Sequence, residues 1–154
     1  MKQIETTIKS KDYSTITFDQ LAKHLNLDED LVDVEQLESI LKASIDWVEN
    51  RTNSFITPTS IEFTDYEFSG NTIELEHKGV TTITSVTVDD VVIADFRCIK
   101  KYTSTFIVLS QSVNTSKLIV NYTAGNAPSY NFIQAALITA ADMFITTSEE
   151  ENEN

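Results

Sequence analysis

The sequence predicts an α+β fold: two N-terminal helices, one short and one long, and a C-terminal helix, packed with a central antiparallel β unit. Three observations carry that prediction. Apolar residues recur at helical spacing between residues 17 and 52. From residue 54 to residue 123 they alternate at a spacing of two. Between residues 132 and 145 they crowd together again, with few polar interruptions. The chain has 154 residues, enough for one domain with a real core. A single domain is expected over residues 1–148, followed by a flexible acidic tail at 149–154.

The short helix is announced by "TITFDQLAKHLNLDED". Thr17 suits the N-cap, and Gln20 three residues on completes a capping box. Phe18, Leu21, Ala22 and Leu25 then share one face. Asp28, Glu29 and Asp30 follow in a loop.

The long helix starts after Asp33 as N-cap. Its expected buried stripe is Val34, Leu37, Leu41, Ser44, Ile45 and Val48, widened by Ile40 and Trp47. Trp47 is expected in the core rather than at an interface. Asp33, Glu35 and Glu38 suit the positive end of the helix dipole. Asn53 suits the left-handed position just past the end. A helix over residues 34–52 would be about 30 Å long.

The strand region reads in pieces. Ile73 and Leu75 alternate with Thr72, Glu74 and Glu76, and Val86 and Val88 alternate with Ser85 and Thr87. Asp89-Asp90 turns the chain into "VVIADF" as a hairpin. Phe106 and Val108 oppose Ile107 and Leu109, so that strand is expected to be buried on both faces. Leu118, Val120 and Tyr122 share one face of the last strand. A compact sheet or small barrel-like unit results.

The last helix is expected from Pro128 or Ser129 to about Thr147. The glutamates that follow oppose the dipole at a helix C-terminus, so they should not prolong it. With Gln134 at zero on a helical wheel, Asp142 falls near 80° and Thr139 near 140° (~100° per residue). Well over half of the circumference is apolar. Packing on one surface needs a stripe of only about 100°. Such a helix is expected between two surfaces: the domain's own core and either more of that core or another subunit. Candidate contact residues are Phe132, Ile133, Leu137 and Phe144, some of them shared with the core.

Composition narrows the function. Hydrophobic residues are 41% and charged residues 23%, a globular rather than a disordered balance. The net charge of −13 repels nucleic acid and anionic membranes, so phosphate-backbone binding is not the expected task. "MKQIETTIKSKDY" lacks the apolar core of a signal peptide, and no stretch reaches the length of a membrane span. An intracellular, soluble protein is expected. Cys98, the single cysteine, sits beside Phe96 and Ile99 and is expected as a small buried residue rather than a nucleophile.

Tests for chemistry are negative. Taking Asp28 as the first position of a calcium loop puts Asp30 at the third. Val32 then falls at the fifth, Asp33 at the sixth in place of Gly, and Ser39 at the twelfth in place of Glu. His24 and His77 lack ligand spacing and read as structural or exposed. No phosphate loop, nucleophile elbow or dinucleotide fingerprint is present. Lys100-Lys101 reads as a guard on a strand edge rather than a nucleic-acid face. No catalytic residue, metal or cofactor is expected.

Three blocks in order resemble the small head–tail connector proteins (adaptor, or head-completion) of long-tailed bacteriophages. The first is "TFDQLAKHLNLDEDLVDVEQLESILKASIDWVENRTN", similar to that family's short helix, acidic loop and long helix ending in aromatic–Val–Glu–x–x–Thr–Gly. Trp47, Val48, Glu49 and Thr52 take those places, and Asn53 replaces Gly. The second is "GVTTITSVTVDD", similar to a family strand entering a hairpin, with Gly79-Val80 where Pro is common. The third is "LIVNYTAGNAPSYNFIQAALITAADMF", similar to a Val–x–Tyr–x–Ala–Gly strand and turn before an Ala-rich helix. Together they span most of residues 16–147. The segment "SFITPTSIEFTDYEFSGNTIELEH" departs from the family pattern, which leaves the β topology around residues 54–80 open.

The resemblance implies a structural virion protein without catalysis. It would form a ring beneath the portal protein, join phage head to tail and extend the DNA channel. Its implied partners are the portal protein, a tail-completion or stopper protein, and further copies of itself in a ring matched to the portal, a dodecamer in the virion. DNA would pass through the lumen without specific binding, and no membrane is involved. Its place would be the head–tail junction of the virion, and the host cytoplasm during assembly. The C-terminal helix is similar to the part that meets the portal in relatives. The alternatives are a tail-completion or stopper protein or another β-rich virion module, and, further off, a metal-dependent hydrolase with a distributed acidic site.

Overall fold

The computed structural model describes residues 3–28, 33–77, 79–101, 104–125 and 130–152. The fold is α+β, with three α-helices and one six-stranded antiparallel sheet among the described residues. The chain divides into two compact units. One holds residues 1–12 and 58–126, the other residues 13–57 and 127–154.

The helical unit opens with a 3₁₀ turn, Tyr13–Thr15, followed by α1, Phe18–Leu25. The predicted capping box is present. Thr17 Oγ1 accepts from the Gln20 amide at 3.2 Å, and Gln20 Oε1 accepts from the Thr17 amide at 2.8 Å. Asn26 stops α1 in the left-handed conformation, its amide returning to Ala22 and Lys23.

The long helix α2 runs Val34–Thr52, with Asp33 accepting from the Gln36 amide and Asn53 left-handed at φ 52, as expected from sequence. Leu37, Leu41, Ser44, Ile45 and Val48 are buried. Two expectations fail on this helix: Val34 is 43% exposed and Trp47 is 48% exposed. Val34 is the first residue of the helix. Trp47 sits off the buried stripe, its ring covered by the Arg51 guanidinium at 5.4 Å instead of by core.

The third helix, α3, spans Tyr130–Asn152. The predicted start at Pro128 or Ser129 lies outside the described residues. The helix outruns its predicted end near Thr147. Glutamate is a good helix former, and over these few residues that propensity outweighs the dipole penalty. Ala136, Leu137 and Ala140 close a core with Ile16, Leu21, Leu37, Leu41, Ile45, Val48 and Ile56.

The β unit comprises β1 (Gln3–Lys11), β2 (Thr59–Leu75), β3 (Val80–Val88), β4 (Val91–Ile93), β5 (Phe96–Lys100) and β6 (Thr105–Ala124). The order is β1-β2-β6-β3-β4, with β5 also on β6. The N-terminal strand is absent from the sequence expectation, although Ile4, Thr6 and Ile8 alternate there. β2 and β6 are the long spine. Near the middle of both strands the buried side changes phase: Phe63 and Asp65 point inward, then Phe68, and on β6 Leu118 then Thr115. Glu67 at φ 65 makes the change on β2. On β6 the Thr115 hydroxyl makes it, accepting from the Lys117 amide and donating to the Lys117 carbonyl, both at 3.1 Å.

A wide bulge follows, where Asn71 alone stands against residues 109–112. The far half of the spine therefore curls over the near half. Tyr122 reaches His77, and Lys100 Nζ donates to the Thr81 carbonyl at 3.2 Å. Of the two forms expected from sequence the compact sheet is the outcome, curled but with β1 and β4 at its ends. Its interior holds Ile61, Phe63, Ile73, Leu75, Val86, Ile107, Leu109, Leu118, Val120 and Tyr122.

The Asp89-Asp90 hairpin forms as predicted, both residues at positive φ (47° and 67°), which matches the strand twist of a two-residue turn. Asp89 is held by Ser116 Oγ at 3.1 Å. Its carboxyl lies below the usual range, through hydrogen bonds from Thr115 first and then Ser116. Two corrections apply to the strands. Ile107 and Leu109 are buried but Phe106 and Val108 are only half-buried, because one face of this stretch points out of the curl. Cys98 is exposed, on a strand that pairs on one side with β6 and leaves its other side open. The Lys100-Lys101 pair stands at the end of that strand, as expected of an edge guard.

Candidate docking surface

The surface with most to explain is the outer side of α3. Of the four candidate contact residues, Leu137 is 4% exposed and belongs to the core of the helical unit. Phe132, Ile133 and Phe144 pack partly against the same core. The residues left open are two that the sequence reading did not single out. Ile138 is 60% exposed and Ile145 is 53% exposed. Seven residues apart, they fall within about 20° on the helix and form one stripe. Asp142 lies between them, exposed. The wheel arithmetic found the excess of apolar surface but not its direction. The sequence does not show which arc faces α1 and α2.

The buried side of α3 is built for close approach. Ala136 and Ala140 are fully buried, one turn apart, and let the backbone come near α2. Thr139 folds its hydroxyl back on the Ala135 carbonyl at 2.8 Å, so a polar residue sits in the helix without needing another partner.

On α2 a second patch is formed by Trp47 and Arg51. Beside it the end of the helix is locked. Glu49 is 5% exposed. Its Oε2 accepts from the Ile56 amide at 2.8 Å, and from the Thr57 amide and Thr57 hydroxyl at 3.4 Å each. Thr52 Oγ1 donates to the Val48 carbonyl at 2.8 Å. The block Trp47–Val48–Glu49–Thr52 thus has an outward aromatic, a core aliphatic, a carboxylate that ties the loop after α2, and a last-turn hydroxyl folded back on its own helix. A groove of about 290 Å³ lies between the 3₁₀ turn, α1 and α2, with Lys42 and Glu38 at its rim. There the Tyr13 hydroxyl donates to Asp46 at 2.9 Å.

The β unit carries a wider cavity of about 630 Å³, lined by Phe63, Phe68, Phe106, Asp65, Glu74 and Glu76 among others. Among the described residues no group of three or more His, Cys, Asp or Glu side chains could hold a metal ion. Apart from the cavity lining, His77 and Tyr122 form a polar contact within the β unit, Nδ1 to hydroxyl at 2.6 Å. Burial pushes the His77 imidazole below its ordinary value, with Glu76 partly opposing, and burial raises the Tyr122 hydroxyl well above its own. Both shifts favour the neutral forms of the pair, and the imidazole tautomer sets which group donates. His24 is exposed. No described helix is long and apolar enough to cross a membrane.

No protein-family model matches this chain. No curated protein sequence matches it either. Solved structures do match. One is a chain in the neck of an empty GTA particle computed with C6 symmetry. It is 17% identical with a TM-score of 0.74, over 92% of this chain and 83% of that one. Another is a chain in the virion of a native gene transfer agent (GTA) particle. It is 18% identical with a TM-score of 0.74, over 92% of this chain and 84% of that one. The fold is thus one found in gene transfer agent particles, the neck included. At this identity the likeness concerns the fold.

Proposed function

We propose that this protein is a structural neck component: a ring adaptor beneath the portal that joins a phage head to its tail and extends the DNA channel, without catalysis. The observation that carries the reading is the shared fold with a chain of a particle neck, at a TM-score of 0.74 over 92% of the chain. In this reading residues 1–148 act as one head–tail connector-like domain and residues 149–154 as its acidic tail. The portal protein lies on one side, and a tail-completion or stopper protein on the other. Further copies of the chain complete a ring, a dodecamer when matched to the portal. The protein works at the head–tail junction of the virion and is present in the host cytoplasm during assembly.

The outer stripe of α3 is the proposed docking surface. Ile138 and Ile145 form its centre. Phe132, Ile133 and Phe144 lie on the flanks turned toward the core, and Leu137 lies within it. A ring of identical subunits needs two different complementary surfaces on each, so exposed apolar area beyond the needs of the core favours assembly. The net charge of −13 suits a lumen that DNA crosses without adhering.

The test is native mass spectrometry of wild type and of Ile138→Asp/Ile145→Asp, alone and with a portal protein. The wild type should form rings, alone or on the portal. The variant should remain folded and fail to dock. Docking by the variant equal to that of wild type refutes the role given to α3.

A further inference from the structure

We infer that two of the open edges of the β unit, β1 and β4, pair between neighbouring copies of this chain, so that the sheet continues from one subunit into the next. The inference rests on the ring reading and specifies its subunit junction. Each of these strands has one hydrogen-bonded neighbour among the described residues, at opposite ends of the order β1-β2-β6-β3-β4. An open edge presents a row of backbone donors and acceptors that a further strand can satisfy.

Both edges also leave apolar side chains uncovered. Ile4 is 41% and Ile8 51% exposed on β1, and Val91 is 63% and Val92 69% exposed on β4. The register shows which face they extend. Ile4, Thr6 and Ile8 stand opposite Asp65, Phe63 and Ile61, all buried on the inner side. Directly opposed residues share a face, so these three continue the interior. Val91 and Ile93 stand opposite Val88 and Val86, and Val86 is wholly buried. The interior apolar face thus reaches both edges and stops without a cover.

Antiparallel docking of β1 on the β4 of the next copy joins these two ends. With Ile8 opposite Val91, Thr6 comes opposite Ile93, and Lys9, at the bulge of β1, comes beside Asp90. The charges agree with that register. The C-terminal half of β1 carries Lys9 and Lys11, and the residues that lie at that end of β4 in this register are Asp89 and Asp90. Lys9 already meets Glu62 at 3.3 Å on the surface, with its side chain 53% exposed, so it remains available to a second carboxylate. Edge lysines deter indiscriminate strand pairing. An edge entered through Asp89-Asp90 turns that deterrent into selection for one partner in a chain that is otherwise strongly acidic. The two edges differ from each other, so the contact is head-to-tail, as a ring requires.

The test uses a Cys98→Ser background, which removes the one native thiol. Copies carrying Ile8→Cys are mixed with copies carrying Val91→Cys, assembled alone and with a portal protein, and mildly oxidised. Disulfide-linked dimers should form in the mixture. A control that pairs Ile8→Cys with Asp19→Cys, on α1, should give few. As a second measurement, Val91→Glu, a change at an exposed site, should keep the wild-type melting temperature and weaken assembly at least tenfold. If wild type assembles by light scattering while the cross-link stays at control level and Val91→Glu assembles normally, the edge pairing is wrong and the ring reading stands. If wild type remains monomeric in both conditions, the ring reading fails and the pairing fails with it.

Discussion

Replacing Glu49 by alanine is the sharpest stability test of the helical unit. The carboxylate sits at the end of α2, 5% exposed, and its Oε2 is the acceptor for the Ile56 amide at 2.8 Å. The two bonds from Thr57, both 3.4 Å, lie beyond the usual range and add little. The loss therefore includes one short charge-assisted bond and a buried amide left without its acceptor, together about 2–3 kcal/mol. For a protein of this size each kcal/mol moves the melting temperature by about 2–4 °C. Glu49→Ala should thus melt about 4–12 °C below wild type by circular dichroism, with faster hydrogen exchange at the Ile56 amide. Glu49→Gln keeps an acceptor oxygen without its charge and should lose about half as much. A Glu49→Ala protein that melts within about 1 °C of wild type, with Ile56 exchange unchanged, refutes the assignment of this carboxylate as the loop anchor.

Three further outcomes follow from the same coordinates. Leu137→Ala, in the core, should cost about 2–5 kcal/mol in denaturant unfolding, whereas Ile138→Asp, one residue on and 60% exposed, should leave unfolding within about 0.5 kcal/mol of wild type. Trp47→Ala should cost no more than about 1 kcal/mol, the worth of an exposed cation–π contact with Arg51, and a loss of core size would restore the sequence-based expectation for this residue. His77 has a folded pKa below its ordinary 6.5, so its contribution to stability is complete above pH 6.5 and is lost as pH falls below that value toward the folded pKa. Imidazole titration by NMR should show its midpoint below 6.5, and Glu76→Gln should lower it further by removing the carboxylate that opposes the shift.

Legibility from sequence followed the range of the interactions. Thr17, Gln20, Asp33 and Asn53 act on backbone a few residues away, so both helix caps were readable from neighbours alone. The Asp89-Asp90 turn was readable for the same reason. β1 was not, because Ile4 and Ile8 are its only large apolar residues and the strand is held by pairing with residues some sixty positions away. The phase change at Glu67 hid the inward role of Phe68, since it breaks the alternation by which strands are recognised. Cys98 was placed in the core on residue type, and its strand proved to have an open side. On α3 the quantity of apolar surface was legible and its orientation was not. Leu137 and Ile138 are equally apolar neighbours, and only packing against α1 and α2 makes one core and the other surface.

The central claim is that this chain assembles into a ring that seats on a portal. Native mass spectrometry of the wild-type protein, alone and with a portal protein, tests it most directly. The account predicts closed rings, formed alone or on the portal, with about twelve copies on a twelve-fold portal by symmetry matching. A protein that stays monomeric at high concentration and leaves the portal unchanged in mass would contradict it.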